Sequence, residues 1–179
     1  FISEINKIFS DKNFTFENQT NSNRVLRYMA LQNAGDLSQN NLAKYLKTSQ
    51  ANVKNILDIL EKTHLIFSVE AYGTSSKRMK KTKKYYFATS SIKNGLSMNS
   101  GNTIKDIKQY EGLLLENHVA SILFNFTQRG NNYFTLYYDS NKKRNVAFIL
   151  QQDFKNPVPI EVGRGRKDKR QIMHAINSY

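Results

Sequence analysis

The residues best suited to chemistry in this chain are those that hold phosphate or read a base edge. Six basic residues fall in eight positions: Lys77, Arg78, Lys80, Lys81, Lys83 and Lys84. A cation array of this density neutralises backbone phosphates and releases their counterions, so any binding to nucleic acid is salt-dependent. Some twenty residues earlier, Gln50, Asn52, Lys54 and Asn55 lie on the outward side of an amphipathic stretch. Asn and Gln can make paired hydrogen bonds to adenine, and Lys can reach guanine or a phosphate. Asp58 shares that outward side and opposes deep insertion at its end.

The overall charge agrees with a polyanionic partner. Lys and Arg number 27 against 14 Asp and Glu, a formal net charge of +13. A field of that sign attracts nucleic acid or an anionic membrane surface. No apolar run approaches the ~18 residues of a spanning helix, so the expected partner is double-stranded DNA and not a membrane. There is no cysteine, which excludes disulfides and thiolate zinc sites and fits a cytoplasmic protein. The first residue is Phe1 and the opening residues do not resemble a signal peptide, so the chain is expected to be a piece of a longer protein.

These residues need elements to position them. Val53, Ile56, Leu57 and Leu60 repeat at i, i+3, i+4 and i+7, the signature of a helix with one buried stripe. Ser49 precedes it as a candidate cap, and Ser38 caps a shorter helix containing Leu42, Ala43, Tyr45 and Leu46. Lys47 to Ser49 then forms the turn of a helix-turn-helix. A further helix is expected over Arg24 to Gln32, after a polar connection from Asp11 to Asn23, and another over Phe1 to Ser10. Gly35 suits a left-handed position after a helix. Leu65 to Ala71 and Lys84 to Ala88 are β-rich and bracket the basic run, predicting a hairpin with a long charged tip. Together these form a winged helix-turn-helix, with a short helix over Ser90 to Met98 and a linker from Asn99 to Thr103.

The second half changes in pattern. A long helix is predicted from Ile104 to Gln128, with Leu113, Leu114, Val119, Ile122, Leu123 and Phe126 apolar. Three strands follow, at Tyr133 to Tyr138, Asn145 to Gln151 and Val158 to Val162, then a helix from Lys167 onward. The division is therefore residues 1–20 as helix and linker, 21–100 as the winged helix, and 101–179 as an α-β-β-β-α unit truncated at its C-terminus. Tyr137 and Tyr138 are adjacent in a strand and must face opposite sides; one belongs to a core and the other could stack on a base. His64, His118 and His174 show no metal-ligand spacing, and Gly163-Arg164-Gly165-Arg166 lacks the Lys-Ser/Thr ending of a phosphate loop.

Three segments of this half carry a resemblance: Tyr110-Glu111-Gly112-Leu113-Leu114-Leu115-Glu116-Asn117, Asn145-Val146-Ala147-Phe148-Ile149-Leu150 and Pro157-Val158-Pro159-Ile160-Glu161-Val162-Gly163. With Leu42-Ala43, Leu65-Ile66 and Lys84-Tyr85-Tyr86-Phe87 in order before them, the region from about Arg24 to Arg170 resembles the C-terminal part of a prokaryotic AAA+ ATPase family. In that family an ATPase module precedes a winged helix, which precedes a restriction-endonuclease-like (PD-(D/E)XK) domain. The resemblance implies an α+β fold, and a parent protein that uses ATP and Mg²⁺ in a module outside these residues. Phe1 to Ser10 would be the tail of that module's lid.

In the nuclease fold, a helix Glu, a strand Asp and a Glu-x-Lys strand converge on a divalent cation that orients water and stabilises charge on the phosphate. Glu116 matches the helix Glu, and Glu161 the first position of Glu-x-Lys. Ala147 stands at the Asp position and Gly163 at the Lys position. The resemblance thus implies vestigial nuclease positions at Glu116, Ala147, Glu161 and Gly163, with no catalytic set, metal or cofactor in this fragment. Three readings remain open: a non-catalytic DNA-binding region, a metal-dependent nuclease using Asp139, Asp153 or Lys167 as replacements, and an interaction module that couples the ATPase to a partner protein.

Overall fold

In a computed structural model, the described residues are 16–32, 35–98, 106–129, 133–141, 146–163 and 173. The helix expected over Phe1 to Ser10, the linker from Asn99 to Thr103 and the last helix lie outside them, apart from Met173 within that helix. Helix α1 spans Phe16–Leu31, α2 Gln39–Leu46 and α3 Gln50–Lys62. Strand β1 is Ile66–Ala71, α4 Ser75–Lys80, β2 Lys84–Phe87 and α5 Ser90–Met98. The second half contributes α6 (Ile107–Gln128), β3 (Phe134–Tyr138), β4 (Phe148–Gln152) and β5 (Val158–Ile160). The fold is mixed α+β, with a winged helix-turn-helix order in its first half.

Local chemistry sets the helix-turn-helix. The Ser38 hydroxyl accepts from the Asn41 amide at 3.3 Å and the Ser49 hydroxyl from the Asn52 amide at 3.1 Å. Each satisfies one of the donors a helix start leaves open. Between them Lys47 takes a left-handed conformation (φ 56°), and the Thr48 amide bonds back to the Ala43 carbonyl at 3.0 Å. The predicted stripe Val53, Ile56, Leu57 and Leu60 is fully buried. Helix α1 differs from expectation, starting at Phe16 inside the anticipated polar connection. Its early polar residues Asn21 and Ser22 are themselves buried, and α1 packs on α2, α3 and α5. Tertiary burial there overrides the weak apolar periodicity.

The five strands form one sheet in the order β2-β1-β3-β4-β5. β1 pairs antiparallel with β2 (Ile66 opposite Phe87, Phe67 opposite Tyr86) and parallel with β3 (Glu70 opposite Tyr137, Ala71 opposite Tyr138). β3–β4 and β4–β5 are antiparallel. Strand alternation splits the hairpin between two cores. Ile66, Tyr85 and Phe87 join the helical core of Leu26, Leu42, Ile56, Leu57 and Leu60. Phe67, Val69, Ala71 and Tyr86 join a second core with Ala120, Leu136, Tyr138 and Phe148.

Helix α6 starts at Ile107 rather than Ile104, because the Asp106 carboxylate caps it by accepting from the Gln109 amide at 3.1 Å. Its buried side is Asn117, Ala120 and Ser121. Ile122 and Phe126, two of its apolar residues, are 54% and 41% exposed. The sheet is met instead by two small hydrogen-bonding residues. The Asn117 side chain accepts from the Phe87 amide at 2.9 Å and donates to the Phe87 carbonyl at 3.0 Å, while the Ser121 hydroxyl donates to the Ala88 carbonyl. Among the described residues no helix is long and apolar enough to cross a membrane.

Candidate nucleic-acid interface

Helix α3 presents one side to solvent because its other side is committed to the core. Gln50, Lys54 and Asn55 are exposed, whereas Asn52 is half-buried. The Asn52 amide nitrogen donates to the Thr48 hydroxyl at 3.0 Å, so this side chain braces the turn. Gln50 donates to Asn40 of α2 at 3.3 Å, tying together the two helices of the motif. Asp58 is half-buried on the same side.

The wing departs from the expected open loop. Gly73 (φ 142°) turns the chain after β1, and Ser75–Lys80 then forms α4. Thr74 caps it by accepting from the Lys77 amide at 3.4 Å. The residues that follow Thr74 are good helix formers, Lys, Arg and Met among them, so a capped turn competes with a loop. No residue of α4 is buried. Lys77, Lys80, Lys81 and Lys83 are exposed, and Met79 between them is 88% exposed.

The six basic residues are not equivalent. Arg78 is half-buried and bonded within the protein: Nη1 donates to the Tyr137 hydroxyl at 3.0 Å, Nη2 to the Ser75 hydroxyl at 3.3 Å, and Nε lies 3.8 Å from a Glu70 carboxylate oxygen. Lys84 is also half-buried, 3.7 Å from an Asp36 oxygen and 5.3 Å from the Tyr138 ring centre. Lys83 sits 3.7 Å from the other Glu70 oxygen but stays exposed, and such a pair is weak in water.

Between α3 and the wing runs a groove of about 710 Å³. Gln50 and Lys54 line it from α3, Gln39 and Asn40 from α2, and Lys81 and Lys83 from the wing. Asp36, Asp58 and Glu61 line it too, so carboxylates face the same groove as the lysines. Burial raises the Tyr85 pKa at its wall, helped by the charges of Glu61 and Asp58.

Glu116, on α6, accepts a hydrogen bond from the Tyr86 hydroxyl at 3.0 Å. Burial and then the Glu116 charge push the Tyr86 pKa well above its usual value. Ala147 packs against the second core, its amide donating to the Ile160 carbonyl at 3.0 Å. Glu161 follows β5 and is half-buried, and Gly163 is exposed. Asp139, beside Ala147 through an amide-to-carbonyl bond, accepts from the Asn141 amide at 2.9 Å; its Oδ2 is buried with no hydrogen-bond partner among the described residues. Asp153 is exposed in the turn after β4, and Lys167 lies outside the described residues. Among the described residues no group of three or more His, Asp or Glu could hold a metal ion.

Sequence reasoning missed Tyr86, Asn117 and Lys93. Lys93 is buried on α5, its ammonium donating to the Gln32 carbonyl at 3.1 Å, with its pKa lowered to about 8 by burial against a smaller opposing effect of Glu116. A lone Lys at a core-facing helical position was the available signal.

Two solved structures of S. aureus MepR are similar in part. One is a mutant (17% identity, 69% of this chain, 88% of that chain, TM-score 0.34). The other is bound to ethidium bromide (18% identity, 70% of this chain, 88% of that chain, TM-score 0.31). The chain is 30% identical over 165 residues to Uncharacterized protein MJ1637 of Methanocaldococcus jannaschii, which spans 92% of this chain; the chain in turn spans 34% of that relative. Residues 11–103, just over half of the chain, match the family described as Domain of unknown function (DUF8612). The chain belongs to that family.

Proposed function

We propose that this chain binds double-stranded DNA without cutting it, as the C-terminal part of a longer AAA+-type ATPase. The observation that carries the reading is the groove lined by Gln50 and Lys54 of α3 on one side and Lys81 and Lys83 of the wing on the other. A duplex laid along it puts phosphates against both sides and base edges against the outward side of α3. Lys77, Lys80, Lys81 and Lys83 supply phosphate contacts. Arg78 and Lys84, already engaged inside the protein, set the shape of the wing. The second half, read as a degenerate restriction-endonuclease-like domain, serves as platform. ATP and Mg²⁺ belong to the ATPase module and not to these residues.

The test is a titration of duplex DNA at two salt concentrations. Each phosphate contact contributes about 0.9 to the slope of log K against log salt. Replacing Lys80, Lys81 and Lys83 together by Ala should weaken binding and flatten the slope by up to about 3. Unaltered affinity and slope would show the wing is not the contact surface.

Asp36, Asp58 and Glu61 in the same groove favour a second reading, in which a basic segment of a partner protein occupies it. Lack of duplex affinity at low salt would move the assignment there. A metal-dependent nuclease is the weakest reading, because Glu116 is held by Tyr86 and Ala147 has no ligating atom in its side chain. Cutting in Mg²⁺ or Mn²⁺ that is abolished by Glu161→Ala would reinstate it.

A further inference from the structure

The wing helix has no core of its own. Six residues cannot hold a helix alone in water, since a nucleus is unfavourable and isolated helices need roughly twice that length or more. None of its side chains is buried. Its order must come from elsewhere, and the contacts that supply it converge on two consecutive residues of β3.

Tyr137 and Tyr138 point to opposite sides of the sheet. On one side, the Tyr137 hydroxyl accepts from Arg78 Nη1 at 3.0 Å, and the guanidinium lies 5.5 Å from the Tyr137 ring centre. Arg78 passes the constraint on to Ser75 in the first turn of α4 and to Glu70 at the end of β1. On the other side, the Tyr138 hydroxyl donates to the Thr82 carbonyl at 2.7 Å, fixing the segment that leaves α4. The Tyr138 ring also lies under the Lys84 ammonium. The Tyr72 amide donates to the Tyr138 carbonyl at 2.9 Å, so the entry to the wing is pinned at the same place.

We infer that Tyr137 and Tyr138 are positioning residues for the wing: the second half of the chain sets the pose in which Lys77, Lys80, Lys81 and Lys83 are offered to phosphate. This rests on the DNA-binding reading for its purpose, though not for its geometry. A wing held in advance does not have to be ordered when the duplex arrives, and preorganisation raises affinity without adding a contact. Arg78 accordingly acts through Tyr137 and not on DNA.

The experiment uses the full chain carrying Tyr137→Phe and Tyr138→Phe. Both rings stay, so packing and the cation–ring contacts persist while the two hydroxyl bonds are lost. Amide exchange over residues 75–83 is expected to quicken while the rest of the chain keeps its protection. Duplex Kd is expected to rise about tenfold, the loss from two modest hydrogen bonds, with the salt slope unchanged because every Lys remains. The Lys-to-Ala variant behaves oppositely, flattening the slope. Arg78→Lys keeps a charge but not the planar fork. It should weaken binding similarly, and should add little further loss on top of Tyr137→Phe.

Unchanged exchange over 75–83 overturns the clamp whether or not the chain binds DNA. Faster exchange with unchanged duplex affinity overturns the role assigned to it in binding. If the parent chain binds no duplex at low salt, the DNA-binding reading fails by itself, and the exchange measurement still decides the clamp.

Discussion

Asn117→Ala tests how the two halves are joined. Among the described residues β2 is an edge strand, with β1 on one side and no strand on the other. The Ala88 amide points inward to the Leu65 carbonyl at 3.0 Å, so the Phe87 amide and carbonyl point outward. In a buried setting those two groups must be satisfied. The Asn117 carboxamide takes both, at 2.9 and 3.0 Å, as a neighbouring strand would. Truncation strands one donor and one acceptor at about 1–3 kcal/mol each, less whatever water recovers, for an expected loss of about 2–5 kcal/mol. For a chain of this size, 1 kcal/mol moves Tm by about 2–4 °C, so a fall of about 5–15 °C is expected, with urea denaturation as the companion assay. Asn117→Asp is a sharper probe. It retains the acceptor for the Phe87 amide but sets a carboxylate oxygen against the Phe87 carbonyl, so it should be at least as damaging at pH 7 and partly recover in acid. A loss below about 1 kcal/mol for Asn117→Ala, or no pH dependence for Asn117→Asp, would refute the strand-mimic account.

Two other outcomes follow from the same region. Gly35 has φ 72°, its carbonyl accepts from the Tyr85 amide, and a Cβ there would lie 2.8 Å from Tyr86 Cζ. Gly35→Ala should therefore destabilise by at least about 2 kcal/mol in thermal or urea unfolding, combining left-handed strain with a clash against a ring that is itself packed. Lys93 titrates near 8 when folded against about 10.5 when unfolded. Between those values the unfolded chain holds the extra proton, so stability should rise as pH goes from about 8 toward 10, by an amount on the order of 3 kcal/mol at full effect. Above about 10 the sign reverses, because Tyr85, Tyr86 and Tyr138 have raised pKa values and stay protonated in the fold while the unfolded chain loses their protons. Lys93→Met should remove the rise and leave the high-pH fall, as read from denaturation midpoints across pH 7–11; a rise that persists in Lys93→Met would mean another group carries it.

The features legible in the sequence are those whose physics is local. The Ser38 and Ser49 caps act on amides three residues on, and the stripe from Val53 to Leu60 is written in one helix's spacing. The strands of the hairpin and the three strands of the second half were legible from alternation and turn residues, within a few positions. What was illegible depends on partners far along the chain. Asn21 and Ser22 look like loop residues, yet both are buried in a helix that packs on α2, α3 and α5. Arg78 looks like one more wing cation until Tyr137, fifty-nine residues away, accepts its hydrogen bond. Asn117 sits among leucines in a helix whose apolar residues suggest a different buried side, and only the β2 edge explains it. The candidate surface was thus readable as a list of residue types, but the division of labour within that list was not.

That division follows from the hairpin having two buried sides. A wing that only flanks a helix-turn-helix has one side in its core and the other in water. Here Ile66 and Phe87 fill the first core while Phe67, Val69, Ala71 and Tyr86 fill the second. Shifting the hairpin relative to α3 would drag four buried apolar side chains through the second core, each worth roughly 1.5–3 kcal/mol when fully buried, alanine less. Shifting it relative to α6 would break the Asn117 and Ser121 bonds. The strands are therefore fixed to both halves, and freedom remains only beyond Ala71, in α4 and its flanks. The lysines proposed to meet phosphate sit on that segment, and the two tyrosines of β3 bond to it. A change in the second half that moved β3 by even a hydrogen-bond length would reach the wing through Tyr137 and Tyr138, which makes β3 one physical route, beside the Asn117 and Ser121 bonds of α6, by which the two halves can influence one another.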